Sequence, residues 1–122
     1  LKKLLNISDI ISLHIHADKK NVNFINKKKF CLMKKNVLIV NTSRGEIIDE
    51  HDLVNFLKKN KDARYSTDVL KGEIKNKFES KILKYSKFSS QVLITPHIGG
   101  MTSDAQELAY IGIAQKLISN FS

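Results

Sequence analysis

An α/β fold, with about four parallel strands and flanking helices, is what three features of this sequence predict. Short apolar runs rich in β-branched residues recur along the chain, stretches of helical spacing separate them, and two of the runs are continuously apolar. A continuous run marks a strand buried on both faces, as in a parallel sheet covered by helices. At 122 residues the chain is the size of one small domain with a single modest core.

The elements follow in order. Residues 9–14 (DIISLH) read as the first strand. Residues 26–34 (NKKKFCLMK) read as a helix with Phe30 and Met33 on one side and lysines opposite, so Cys31 is expected as inert core. The second strand, residues 36–41 (NVLIVN), is continuously apolar. Asp49 opens a clearer helix: its side chain can cap the first turn, and Glu50 and Asp52 suit the positive helix end. Leu53, Phe56 and Leu57 form the i, i+3, i+4 stripe there, with Lys58 and Lys59 near the negative end. Residues 63–69 (ARYSTDV) form a third, mixed strand. Residues 75–90, polar and lysine-rich, read as a surface loop with one helical turn. Residues 91–95 (QVLIT) are the fourth strand. The last helix starts at Thr102 or Ser103, with Ser103 and Gln106 spaced as a capping box. Its apolar face runs through Ala105, Leu108, Ala109, Ile113 and Leu117 to about Phe121. No repeat or Gly/Pro/Ser-rich linker divides the chain.

Composition narrows the function classes. No apolar run approaches the roughly 20 residues that span a bilayer, and the lysine-bearing start is not a signal peptide. A lone cysteine cannot form an internal disulfide, which points to a reducing compartment, the cytoplasm. The net charge of +9 invites a nucleic-acid reading. Against it, the lysines are scattered among acidic residues, only Arg44 and Arg64 supply guanidinium groups, and aromatics do not interleave with the basic residues. A solvated lysine-rich surface explains the charge; no nucleic-acid or membrane partner is expected.

Three segments could do chemistry, each where a buried strand ends: Asn41-Thr42-Ser43-Arg44-Gly45, Asp68-Val69-Leu70-Lys71-Gly72-Glu73 and Thr95-Pro96-His97-Ile98-Gly99-Gly100. The crevice beyond the carboxyl ends of parallel strands is where ligands bind in open α/β sheets. An Arg suits a carboxylate because its planar fork meets two oxygens at once. Pro96 fixes the turn before His97, and glycines allow a close backbone approach. Read alone, each residue also has a plain alternative: a solvated Arg, an Asp capping a turn, an exposed Glu, a structural His. His14 and His16 share one side of a strand end, but no Cys, Asp or Glu cluster has the spacing to complete a metal site with them, so no metal is expected.

Order and spacing together resemble the D-isomer-specific 2-hydroxyacid dehydrogenases, through NTSRGEIIDE, the five-residue step from Asp68 to Glu73, and TPHIGG. The resemblance runs over essentially the whole chain and implies half of a Rossmann-type doubly wound parallel sheet. It implies that Arg44 binds a substrate carboxylate, that His97 is the general acid-base group, and that Glu73 partners it and stabilises imidazolium. It further implies NAD contacts from His14, Ile15, Thr42, Ser43, Asp68, Gly99 and Gly100, with Asp68 on the nicotinamide carboxamide. Two positions depart from the family: Ile74 stands where Pro usually follows the Glu, and His16 where Pro usually ends the first turn. Glu73 separates the chain from formate dehydrogenases, which carry Gln there.

None of the five glycines forms GxGxxG, the loop that seats a pyrophosphate on a helix N-terminus. The resemblance therefore corresponds to the second half of a cofactor domain, residues 1–122, without its fingerprint half or the substrate domain. The expectation is an NAD-dependent oxidoreductase of 2-oxo and 2-hydroxy acids whose fragment is inactive alone, with an aggregation-prone first strand at an open sheet edge. NADP stays open, and the full-length protein is expected as a homodimer. Two other readings stand beside it: a non-catalytic NAD-sensing module, and a decayed gene remnant.

Overall fold

The computed structural model describes residues 1–121, with the side chains of residues 77 and 121 outside the description. Four strands form one sheet in the order β1-β2-β3-β4, every neighbouring pair parallel: β1 (Ile10–Leu13), β2 (Leu38–Asn41), β3 (Arg64–Thr67) and β4 (Val92–Ile94). Each lies inside the run the sequence marks. All four therefore end at the same edge, which brings the three motif segments together.

Period-two alternation sorts the sheet into two unlike faces. Across the strands, Ile11, Ile39, Tyr65 and Val92 form one cross-strand row, and Leu13, Asn41, Thr67 and Ile94 the next. This face is packed: Ile11, Leu13, Ile39, Asn41, Tyr65 and Thr67 are all buried. Leu5 of α1 (Lys2–Ile7), Phe30 of α2 (Lys27–Phe30), Leu53 and Leu57 of α3 (Glu50–Lys59) and Ile82 of α5 (Lys81–Ser86) complete its core. Burying one such side chain is worth roughly 1.5–3 kcal/mol. The opposite face is open: Ile10 is 64% and Leu93 63% exposed. Continuous apolar runs predict cover on both faces; here the described residues cover one.

Asp49 caps α3 as expected, accepting from the Asp52 amide at 3.0 Å. The ring of Phe30 stacks on Phe56 at 5.2 Å, joining α2 to α3. Other elements differ from the sequence reading. α2 is a single turn ending at Phe30, so Cys31 falls beyond it and is exposed, not core. Residues 73–86 are mostly helical: α4 (Glu73–Asn76), a 3-10 turn at Lys77–Glu79, then α5, which Ser80 caps through the Leu83 amide. Buried Ile82 anchors α5, and one apolar anchor among lysines is too weak a pattern to read. α6 (Ser103–Phe121) is capped by Thr102, whose hydroxyl accepts from the Ala105 amide at 3.2 Å, rather than by Ser103. Its expected apolar face is not buried, with Leu108 at 71%, Ile113 at 58% and Leu117 at 54% exposure.

Candidate functional site at the strand ends

The turn after β2 is built by Asn41, fully buried at the strand end. Its Nδ2 donates to the Arg44 carbonyl at 2.9 Å, and its Oδ1 accepts from the Ser43 amide and hydroxyl at 3.1 and 2.9 Å. This wraps Thr42 and Ser43 into a tight loop and presents Arg44 in extended conformation at the surface. The guanidinium Nη1 donates to the Ser43 carbonyl at 2.7 Å. No acidic side chain among the described residues pairs with it.

Gly45 opens a 3-10 turn, Gly45–Ile47, and lies directly against the loop after β3: a Cβ placed there would be 2.2 Å from the Leu70 carbonyl carbon and the Lys71 nitrogen. The glycine is needed because two backbones touch, not because the turn demands a left-handed residue. Gly72 is the glycine with a left-handed backbone, φ +67°, and it turns the chain into Glu73.

At the end of β3, the buried Thr67 hydroxyl donates to the carbonyls of Asn41 and Val69. Asp68 reaches across to the loop after β4. Its Oδ1 accepts from the Thr95 hydroxyl and, at 3.3 Å, from the Ile98 amide; its Oδ2 accepts from the Gly99 amide at 2.9 Å. The Thr95 hydroxyl above all holds the Asp68 carboxyl below the usual aspartate range; desolvation opposes this and the Gly99, Ile98 and His97 amides add to it. These bonds bracket His97, whose φ of +58° lies in the left-handed region that costs a non-glycine residue energy.

Held this way, His97 directs Nδ1 at Glu73 Oε1, 2.6 Å away. The other carboxylate oxygen, Oε2, accepts from the Leu70 amide at 3.0 Å. The Glu73 side chain is 24% exposed and that of His97 46%, so the pair is sheltered on one side and open on the other. An open groove of about 890 Å³ adjoins it, with Asp68, Glu73, Ser86, Thr95 and His97 as its polar residues and Ile74, Leu93 and Pro96 among its apolar ones. The fixed Nδ1 contact leaves Nε2 as the nitrogen free to exchange a proton with a ligand.

Asp68, Glu73 and His97 thus form one hydrogen-bonded unit with Gly99, and Arg44 stands at the same sheet edge without touching them. Gly100 has open space around it. His14 is exposed and its Nε2 hydrogen-bonds the Ser12 hydroxyl at 2.7 Å, while Ile15 packs partly on the core. Asp49, His51 and Asp52 could bring ligand atoms within 4.8 Å of one another; one oxygen of each carboxylate already accepts a backbone amide, Asp49 Oδ1 from Asp52 and Asp52 Oδ2 from Lys27. Sequence reasoning missed Thr95, which fixes Asp68, and the bracing by Leu70 and Glu46; a Thr before Pro-His was the one available signal.

Residues 1–99 match the family described as D-isomer specific 2-hydroxyacid dehydrogenase, NAD binding domain. The chain is 36% identical over 118 residues to the D-3-phosphoglycerate dehydrogenase of Escherichia coli K12, covering 97% of this chain and 28% of that protein. A crystal structure of a glyoxylate reductase from Paecilomyes thermophila superposes with a TM-score of 0.78 at 31% identity, over 97% of this chain and 34% of that one. A D-lactate dehydrogenase from Aquifex aeolicus, complexed with NAD and lactic acid, gives 0.74 at 27% identity, over 98% and 40%. The chain spans between about a quarter and two fifths of the length of these relatives.

Proposed function

Since the chain belongs to the D-isomer specific 2-hydroxyacid dehydrogenase family, we propose that it carries the acid-base half of an NAD-dependent reductase of 2-oxo acids. The observation that carries this reading is the His97–Glu73 pair, 2.6 Å apart at the strand ends, with the exposed Arg44 on the neighbouring turn. In this reading residues 1–122 are the second half of a cofactor domain, and a fingerprint half they do not contain seats the pyrophosphate.

The groove beside His97 fits the nicotinamide end of such a cofactor. Its wall pairs apolar groups with Asp68, whose Oδ2 accepts from the Gly99 amide and has a lone pair left for an amide donor. When bound, such a cofactor would supply the hydride that the keto carbon requires. Arg44 grips the substrate carboxylate in a bidentate contact and so orients the keto group. His97, protonated at both nitrogens, keeps Nδ1–H on Glu73 and delivers the Nε2 proton to the keto oxygen as negative charge develops there. A neutral Nδ1–H imidazole remains, and the 2-hydroxy acid is formed. The Glu73 carboxylate, held by the Leu70 amide, faces the imidazolium before transfer and stabilises it. In the reverse direction Nε2 takes the hydroxyl proton. Thr42, Ser43, His14, Ile15, Gly99 and Gly100 complete the proposed cofactor contacts, and a cytoplasmic homodimer is the proposed setting.

The test is NADH-dependent reduction of small 2-oxo acids by the polypeptide that contains both halves. His97→Gln is expected to lower kcat about 10²- to 10⁴-fold, the usual worth of a positioned acid-base group, with NADH affinity kept. Full turnover by that variant would refute the assignment. Residues 1–122 alone are expected to be inactive, and specific turnover by them would refute the division into halves.

A further inference from the structure

The Glu73 side of the acid-base pair stands on a loop that is itself braced, and the brace comes from the turn that carries Arg44. Glu46 Oε1 accepts from the Gly72 amide at 3.2 Å, one residue before Glu73. Glu46 is anchored in turn, its carbonyl accepting from the Asn23 amide at 2.8 Å, while Ile47 accepts from the Ile25 amide at 2.9 Å. Lys71 closes the circuit, donating from Nζ to Asn23 Oδ1 at 3.1 Å. Beneath this, Gly45 meets the Leu70–Lys71 peptide with no space for a Cβ. The amide of that same Leu70 fixes the second oxygen of Glu73.

We infer that Glu46 is a positioning residue for the reaction: it clamps the Leu70–Glu73 loop so that the Glu73 carboxylate meets His97 Nδ1 while Arg44 is held at a set offset. The substrate-gripping turn and the proton-donating pair then move as one body. The residue type fits the task. Gly72 has a left-handed backbone that no side chain restrains, so an external acceptor on its amide removes the loop's remaining freedom, and a carboxylate makes the stronger, charge-assisted bond. Glu46 makes no hydrogen bond to Glu73 or His97 and does not line the groove, so it acts through the loop and the turn that it joins.

The catalytic consequence rests on the reductase reading above, but the positioning itself can be measured without it. In residues 1–122 labelled with ¹⁵N-histidine, the imidazole nitrogen shifts of His97 report which ring nitrogen carries the proton in the neutral form. A seated Glu73 holds the proton on Nδ1. Glu46→Ala is expected to release His97 toward the tautomer mixture of a free imidazole, with the amide spectrum of the sheet unchanged. Glu46→Gln, which retains an acceptor oxygen, is expected to keep the Nδ1–H form. Glu46→Asp, shorter by one methylene, serves if the alanine variant does not fold and is expected to follow it. An unchanged tautomer in the alanine or aspartate variant would overturn the inference, as would an equal loss in the glutamine variant. In the holoenzyme, Glu46→Ala should lower kcat about tenfold with KM for the 2-oxo acid nearly constant, and Glu46→Gln should recover most of it. Absence of any reductase activity in the wild-type holoenzyme would refute the function but leave the tautomer result to decide the clamp.

Discussion

Gly45→Ala is the sharpest perturbation of this site, because the space it needs does not exist. The added methyl would lie 2.2 Å from the Leu70 carbonyl carbon, 2.2 Å from the Lys71 nitrogen and 2.6 Å from the Leu70 oxygen. Non-bonded carbon atoms rest about 3.5–4.0 Å apart, so the two segments must separate by more than about 1 Å. Every opposing atom is backbone, and no rotamer change relieves the clash. That separation stretches the 3.2 Å bond from Gly72 to Glu46 past any useful length. Overpacking typically costs about 1–3 kcal/mol, and the lost bond about 1 kcal/mol, which sums to about 2–4 kcal/mol. For a domain this size, at roughly 4 °C per kcal/mol, Tm should fall by about 8–16 °C. Thermal and urea denaturation followed by circular dichroism measures this directly. A loss of under about 0.5 kcal/mol would show that the loop yields freely, and that the contact at Gly45 does not set its position.

Acid should open the His97 turn before it unfolds the sheet. The Asp68 carboxyl is depressed in the folded state, so its contribution is present above the ordinary aspartate range and is lost as pH falls through the lowered value. The Ile98 and Gly99 amides should keep their shifts at pH 5 and move only below about pH 4, whereas Asp68→Asn should move them at every pH; coincident loss with the β2 amides would refute a local event. Gln91 offers a purely structural control. Its Nε2 donates to the carbonyls of Leu57, Asn60 and Ala63, tying the end of α3 to β3, and its Oε1 accepts from the Tyr85 hydroxyl. Gln91→Leu should cost about 2–3 kcal/mol in urea unfolding without moving the His97 nitrogen shifts, and an unchanged midpoint would refute the tie.

The strands were legible because a buried parallel strand leaves a dense signature: LIV in β2 and VLI in β4 admit few other readings. α3 was legible for the same reason, with cap, stripe and terminal charges all agreeing. Cys31 departs from the expected core position because a one-turn helix has no full period, so the side that a residue just past its end faces is set by where the chain turns away. α6 shows a different limit. Spacing identifies a helix with apolar positions but cannot say whether this chain supplies the surface that covers them. The same holds for the sheet's second face, where Ile10 and Leu93 are exposed despite the continuous runs. At the site, the motifs named Arg44, Asp68, Glu73 and His97. They could not name Glu46 or Thr95, whose roles arise from hydrogen bonds between strand-end loops 26 or 27 residues apart in sequence.

Those cross-loop bonds also bear on whether the motifs here are ancestry or machinery. Single motif residues can persist by chance once selection is gone, but mutually dependent ones are harder to keep. Gly45 is useful only while Leu70 lies against it, Glu46 only while Gly72 turns left-handed, and the strained His97 backbone only while Asp68 brackets it. Each of these costs stability or freedom if its partner is lost, and random substitution has many more ways to break such a set than to leave it intact. All three pairs are complete in this chain, and all converge on one carboxylate–imidazole contact. That consistency supports the proposed acid-base centre over a remnant. The contact itself is compactly built: three adjacent loops of one parallel sheet hold it, while the opposite face of that sheet stays open.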